Sequence, residues 1–151
     1  MATVFDVARY VIKKKHPVTT MKLQKLVYYC QAWSLAWTEI PLFPEDFEAW
    51  ANGPVCPPLF EKHRGLFRLD EDFLSDRPDY AFTEDEIDIM DRVLAHYGDK
   101  PPEMLSQLTH MEQPWKMARG NTPLGDPCNT VISKESMMFY YGGLIRGEDE
   151  E

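Results

Sequence analysis

Histidine and cysteine, the side chains that most often carry chemistry, are sparse in this sequence and are not grouped. Cys56 and His63 are seven positions apart, which is not the compact spacing of a zinc site. A metal site would need Cys128 or His110 to converge on them from far along the chain. The remaining residues of these two types are Cys30, His16 and His96.

A catalytic site is not indicated either. A cysteine nucleophile with a histidine base is unconstrained, because many chains of this length contain one of each. His110 and Glu112 make a weak acid–base pair, and a surface histidine beside a loop is the simpler interpretation. The glycines fall at predicted turns and helix ends rather than in a phosphate-binding loop. We therefore predict no catalytic residue, no metal and no cofactor, and an enzyme is the least favoured class.

Lys22 and Lys25 are harder to explain by packing. They lie in the first turns of a predicted helix, where a cation opposes the helix dipole by ~0.3–1 kcal/mol. Their spacing of three places them on one side of that helix. Two interpretations stay open. Either the aliphatic stems cover the core while the ammonium groups reach water, or the two lysines contact a partner.

A second such feature is the segment Trp50-Ala51-Asn52-Gly53-Pro54-Val55. Its aromatic residue and rigid turn residues suit a recognition surface. The alternative is a buried turn that closes the core. On the first interpretation the candidate partner-binding residues of the chain are Lys22, Lys25, Trp50, Asn52, Gly53 and Pro54.

These residues flank or belong to a central helix, which we predict from Met21 to Trp37. Leu23, Leu26 and Cys30 begin the three-and-four spacing of one helical face, and further apolar residues cover most of the remaining circumference. A helix that is apolar nearly all round must be wrapped by other elements. Its apolar part is shorter than the ~20 residues needed to span a membrane.

Capping signals place further helices around it. Thr3 and Asp6 open a helix to about Lys15, and Thr83 to Glu86 open a helix to Tyr97. Shorter helices are predicted near Pro58, Pro102 and Pro114, and a last one from about Ser133 to Leu144. Short strands are predicted around Phe47–Trp50 and Leu66–Phe73.

The predicted fold is therefore mainly α. We expect a single globular domain in residues 1–147, with a central apolar helix wrapped by shorter helices and at most a few short β-strands. The acidic residues 148–151 are expected to form a frayed end.

The net charge and the cysteine content limit the classes of partner and the cellular location that we expect. The net charge of −9 argues against binding to nucleic acid or a membrane surface, which needs a basic face. It favours a basic partner, or simply solubility. Three widely spaced cysteines and an N-terminus without a signal-peptide core indicate a cytoplasmic protein with reduced thiols.

Three blocks in order carry a resemblance to a known family. KLQKLVYYCQAW, EAWANGPV and LTHMEQPWKMAR look like the Panacea-domain antitoxins, a family once described as phage-associated proteins. The resemblance runs from the first helix to about Tyr141. It implies an antitoxin that neutralises a toxin encoded by a neighbouring gene, by direct protein–protein binding. It also implies that one domain type pairs with many unrelated toxins.

Two alternatives stay open beside direct neutralisation. One branch of the family resembles adaptors that deliver a toxin to a cytoplasmic protease for degradation. The other alternative is a phage-associated regulatory interaction module without a toxin partner.

Overall fold

The central helix is α2, Thr20–Thr38, in the computed structural model, which describes residues 1–147. Thr19 caps it, because its hydroxyl oxygen accepts the Lys22 N–H at 3.1 Å. The helix is buried nearly all round from Leu23 to Leu35, as the sequence predicts for a helix without a polar face.

Other helices cover α2 on several sides. In residues 1–147 they are α1 (Val4–Lys15), α3 (Pro57–His63), α4 (Glu84–Tyr97), α5 (Pro102–Met111), α6 (Gln113–Arg119) and α7 (Lys134–Arg146). Of these, α1, α4, α5 and α7 pack directly on α2. The predicted capping boxes form at Thr3 with Asp6 and at Thr83 with Glu86. The mainly α fold with a central wrapped helix is confirmed.

The wrapping of α2 stops short of its last turn. Trp37, the last residue of the predicted central helix, is 40% exposed. It packs against Trp33, with 5.2 Å between ring centroids, and lies under the guanidinium of Arg92 at 5.8 Å. These neighbours cover one side of the indole only.

Short strands make two small antiparallel sheets. The strands are β1 (Val18–Thr19), β2 (Phe47–Trp50), β3 (Gly53–Val55), β4 (Arg68–Leu69) and β5 (Val131–Ile132). One sheet pairs β1 with β4, and the other has the order β3-β2-β5. The predicted strand at Phe47–Trp50 is confirmed, whereas the one predicted across Leu66–Phe73 is reduced to β4.

The β2–β3 hairpin tolerates a proline because of its register. Pro54 lies opposite Ala49. The Ala49 N–H donates to the carbonyl of Thr130 at 2.9 Å, so the backbone groups of Ala49 face β5. Pro54 therefore occupies the free edge of β3, where the N–H that it lacks is not needed for pairing.

Two further observations complete the fold. No helix within residues 1–147 combines the length and apolar character required to cross a bilayer. The predicted frayed end at 148–151 lies outside the described residues.

We predict that Leu26→Asp unfolds the domain. Leu26 is completely buried in α2, so the variant places an unpaired charge in the core. The expected cost is several kcal/mol, a large part of a total stability of about 5–15 kcal/mol. Chemical denaturation followed by circular dichroism measures it. The matched control is Leu124→Asp, because Leu124 is 80% exposed and the same change there should be neutral. An unchanged unfolding midpoint for Leu26→Asp would contradict the burial of Leu26 in α2.

Candidate functional site

An open cleft of about 920 Å³ lies beside the first turns of α2. Its walls are α2 and α3, the β2–β3 hairpin, and the loop at residues 125–129. Apolar side chains contribute much of the lining, and they are Met21, Trp50, Val55, Phe60 and Pro127. A concave, largely apolar surface of this kind is typical of binding sites.

The hairpin that forms one wall is fixed by side chains from α5 and α6. Backbone carbonyl oxygens of the hairpin and its turn accept hydrogen bonds from side chains outside the sheet. The donors are hydroxyl, indole and guanidinium groups. Ser106 donates to the carbonyl of Asn52, Trp115 to that of Trp50 at 2.9 Å, and Arg119 to that of Ala49 at 3.0 Å.

Arg119 also fixes the loop on the opposite side of the cleft. Its Nη2 donates to the carbonyl oxygens of Pro123 and Asp126, each at 2.8 Å. The buried guanidinium thus connects three backbone carbonyls and joins the hairpin to the loop.

His110 supports the hairpin from behind. Its ring stacks on Trp115, with 4.0 Å between centroids, and the residue is half-buried rather than fully on the surface. Burial and the nearby Lys25 lower its pKa.

Lys25 also holds the hairpin in place. The prediction that this lysine is exposed is wrong. Only 1% of the residue is accessible, and Nζ donates to the carbonyl of Pro54 at 3.1 Å. Burial lowers the pKa of this amine to about 7. The side chain is drawn inward because the edge of β3 presents a carbonyl that needs a donor. Lys25 therefore supports the cleft from below and is not a solvated stem.

Gly53 is required by this lysine. A Cβ on Gly53 would lie 2.5 Å from Cε of Lys25 and 2.9 Å from Oγ1 of Thr109. Gly53 also has a φ of +116°, which side-chain-bearing residues rarely adopt. Gly53 and Pro54 are buried, so they serve the closed-turn alternative of the sequence analysis rather than presenting side chains to a partner.

Gln24 links α2 to the start of α3. Its Oε1 accepts the Cys56 N–H at 2.9 Å, which orients the amide. Nε2 therefore donates to Nε2 of His63 at 3.0 Å, and that histidine nitrogen must carry a lone pair. Burial, followed by the positive charge of Lys25, lowers the pKa of His63. The neutral imidazole is the form that fits this contact.

Lys22 does not belong to the cleft. Although it is three residues from Lys25, its surroundings are Lys15 and Asp99, next to the end of α4. Partial burial and Lys15 lower its pKa, whereas Asp99 opposes this shift. The predicted lysine pair is therefore divided between two environments, and only Lys22 keeps partial exposure.

A buried polar cluster connects α2 with the α5–α6 corner. The Glu112 carboxylate accepts hydrogen bonds from Tyr29 at 2.8 Å and Tyr141 at 2.7 Å. Burial raises the pKa of Glu112, and the two hydroxyl donors oppose the rise. The arrangement holds α2, α7 and the α5–α6 corner together, which is a structural role.

Of the predicted contact residues, the structure places Lys25, Trp50 and Asn52 in the lining of one cleft, with Gly53 and Pro54 directly behind. Gln24, Glu48 and His63 also line this cleft, although none of them was among the predicted residues. Gln24 interrupts an apolar helix, which is a usable signal for a buried hydrogen bond. Within residues 1–147, no group of three or more His, Cys, Asp or Glu residues is arranged to hold a metal ion.

Fold and site together define a mainly helical domain in which a fixed hairpin forms one wall of an apolar cleft. Residues 23–116, more than half of the chain, match the family model described as antitoxin SocA-like, Panacea domain, and the chain belongs to that family. The comparisons with characterised proteins and with solved structures gave no match.

We predict that Lys25→Met changes how stability depends on pH. The pKa of Lys25 is about 7 in the folded protein and 10.5 ordinarily, so the unfolded chain binds more protons between these values. This residue therefore makes the free energy of unfolding rise with pH, by at most about 1.4 kcal/mol per unit. Methionine fills a similar volume without a charge. The stability of the variant relative to wild type should be highest near pH 6 and should fall between pH 7 and 10. Urea unfolding of both proteins across this pH range measures the difference.

Above about pH 7.5 the difference between the two proteins isolates the lysine, because His63 and His110, whose pKa Lys25 also lowers, are neutral there. The buried tyrosines and cysteines are common to both proteins. The variant also loses the hydrogen bond to Pro54, which changes its free energy of unfolding by the same amount at every pH. Lys116→Met is the matched control, since Lys116 is exposed and its variant should differ from wild type equally at every pH. A pH-independent difference for Lys25→Met would mean that Lys25 keeps its ordinary pKa.

Proposed function

We propose that this protein is an antitoxin that neutralises a cognate protein toxin by direct binding in the cytoplasm. The observation that carries the proposal is the match of residues 23–116 to an antitoxin family. That family indicates a binding role rather than a catalytic one. We also propose that residues 1–147 act as one unit, because α1 and α7, outside the matched range, both pack on α2.

The cleft supports direct binding. Its walls are held by hydrogen bonds from three helices to the hairpin, so the surface keeps its shape without a partner. Binding to a preformed surface avoids much of the entropy cost of ordering it. Of the candidate contact residues from the sequence, Trp50 and Asn52 line the cleft and are at least partly exposed, and Lys22, outside the lining, stays a candidate. Lys25, Gly53 and Pro54 would act indirectly, by holding Trp50 and Asn52 in place.

The net charge of −9 agrees with a basic partner. Opposite net charges speed diffusional encounter and disfavour wrong partners. This supports a toxin with a basic surface, as expected for proteins that act on RNA or ribosomes.

We predict that co-expression with the neighbouring gene product restores growth and gives a stable complex on purification. Toxicity is measured by growth with each gene induced alone and together. Leu26→Asp should fail to protect, because it is expected not to fold, whereas Leu124→Asp should protect like wild type. A neighbour that is harmless alone, or one that stays toxic although both proteins are soluble, would defeat the proposal. A toxin that disappears only in cells with an intact protease would identify an adaptor instead.

A further inference from the structure

The wall of the cleft formed by β2 presents one carboxylate beside one indole. Glu48 and Trp50 are two residues apart on β2, so they lie on the same face of the strand. Oε1 of Glu48 accepts the indole N–H of Trp50 at 2.8 Å. Phe60 packs edge-on against Trp50, with 5.0 Å between ring centroids. The carboxylate and the indole are thus held together before any partner arrives.

Glu48 supplies the negative charge of the cleft, because none of the other titratable side chains in the lining is a carboxylate. The amine of Lys25 is buried and donates to the Pro54 carbonyl. His63 is held in its neutral form by Gln24. Cys128 is a partly exposed thiol that lies against Thr130. Glu48 therefore gives an otherwise largely apolar cleft a local preference for a cation.

The second oxygen of this carboxylate is available to a donor. The Trp50 indole uses Oε1, and no hydrogen bond or ion pair within residues 1–147 uses Oε2 of Glu48. A guanidinium group can donate to that oxygen while its plane lies against an aromatic ring, a combination that an ammonium group cannot reproduce. The neighbouring Met21, Val55 and Pro127 offer apolar contacts to the residues on either side of such an arginine.

We propose that the cleft binds an apolar segment of the toxin that carries an arginine, with the guanidinium paired to Glu48 and lying against Trp50. This inference rests on the proposed antitoxin function. The net charge of −9 attracts a basic partner at long range, and Glu48 in the cleft provides a specific site for its cation.

The first test needs no toxin. N-acetyl-arginine amide, N-acetyl-leucine amide and N-acetyl-glutamate amide are titrated into the wild-type protein, and the indole N–H signal of Trp50 is followed by NMR. Trp50→Phe assigns that signal. Measurement at about pH 8 keeps Lys25 mostly neutral, given its pKa of about 7. The arginine probe should shift the signal saturably, and the leucine probe less. An equal response to arginine and leucine, or a stronger response to the glutamate probe, would overturn the proposal.

Glu48→Gln supplies the specific variant. Glutamine keeps an oxygen for the Trp50 indole, so the wall should retain its structure while losing its charge. Affinity for the arginine probe should fall at least about tenfold, because an amide nitrogen takes the place of Oε2 and cannot accept a hydrogen bond from the guanidinium. Glu84→Gln is the matched control, because Glu84 is an exposed residue of α4 that does not line the cleft. An equal loss in both variants would show only the effect of net charge.

The same two variants are then tested against the toxin. If wild type neutralises the toxin, Glu48→Gln should weaken the complex and Glu84→Gln should not. Wild-type affinity in Glu48→Gln, in a protein that does neutralise, would overturn the cleft inference alone. Failure of the wild type to neutralise would overturn the proposed function, whatever the probes show.

Discussion

The hydrogen bond from the buried amine of Lys25 to the carbonyl of Pro54 is the contact on which the site depends. A buried ammonium group is unfavourable, and this one meets no carboxylate within residues 1–147. The cost is limited because burial lowers the pKa, so that the neutral amine is accessible near pH 7. In return the free edge of β3 receives a donor, and Gly53 has to be glycine to leave room for the lysine stem.

This contact and two others join the three sequence blocks that resemble one family. The first block contributes Lys25, the second is the hairpin that it holds, and the third contributes Trp115 and Arg119. Each block supplies donors or acceptors that are left without partners if another is removed. The blocks therefore form one structural unit, with the cleft at its surface.

The sequence predicted those parts of the structure that depend on local signals. Capping residues and apolar spacing gave the helices, because both act within one or two turns. Lys25 was misplaced because its burial depends on a carbonyl 29 residues away, which no local pattern contains. Similarly, Ile87 and Ile89 lie two positions apart on α4, yet Ile89 is buried with Met90 whereas Ile87 is exposed. Both isoleucines fit a helical stripe, and only the way α4 docks on α2 decides between them.

The alternation along β2 separates structure from recognition. Phe47 and Ala49 are buried, whereas Glu48 and Trp50 are partly exposed and line the cleft. Lys25, Trp115 and Arg119 hold the hairpin through backbone carbonyls of residues 49, 50 and 54, so they do not specify which side chains β2 presents. Changes at positions 48 and 50 can alter the chemistry of the cleft while the supporting contacts stay the same. On the proposed function, a hairpin held by its backbone is a physical means for one domain type to accept different toxins.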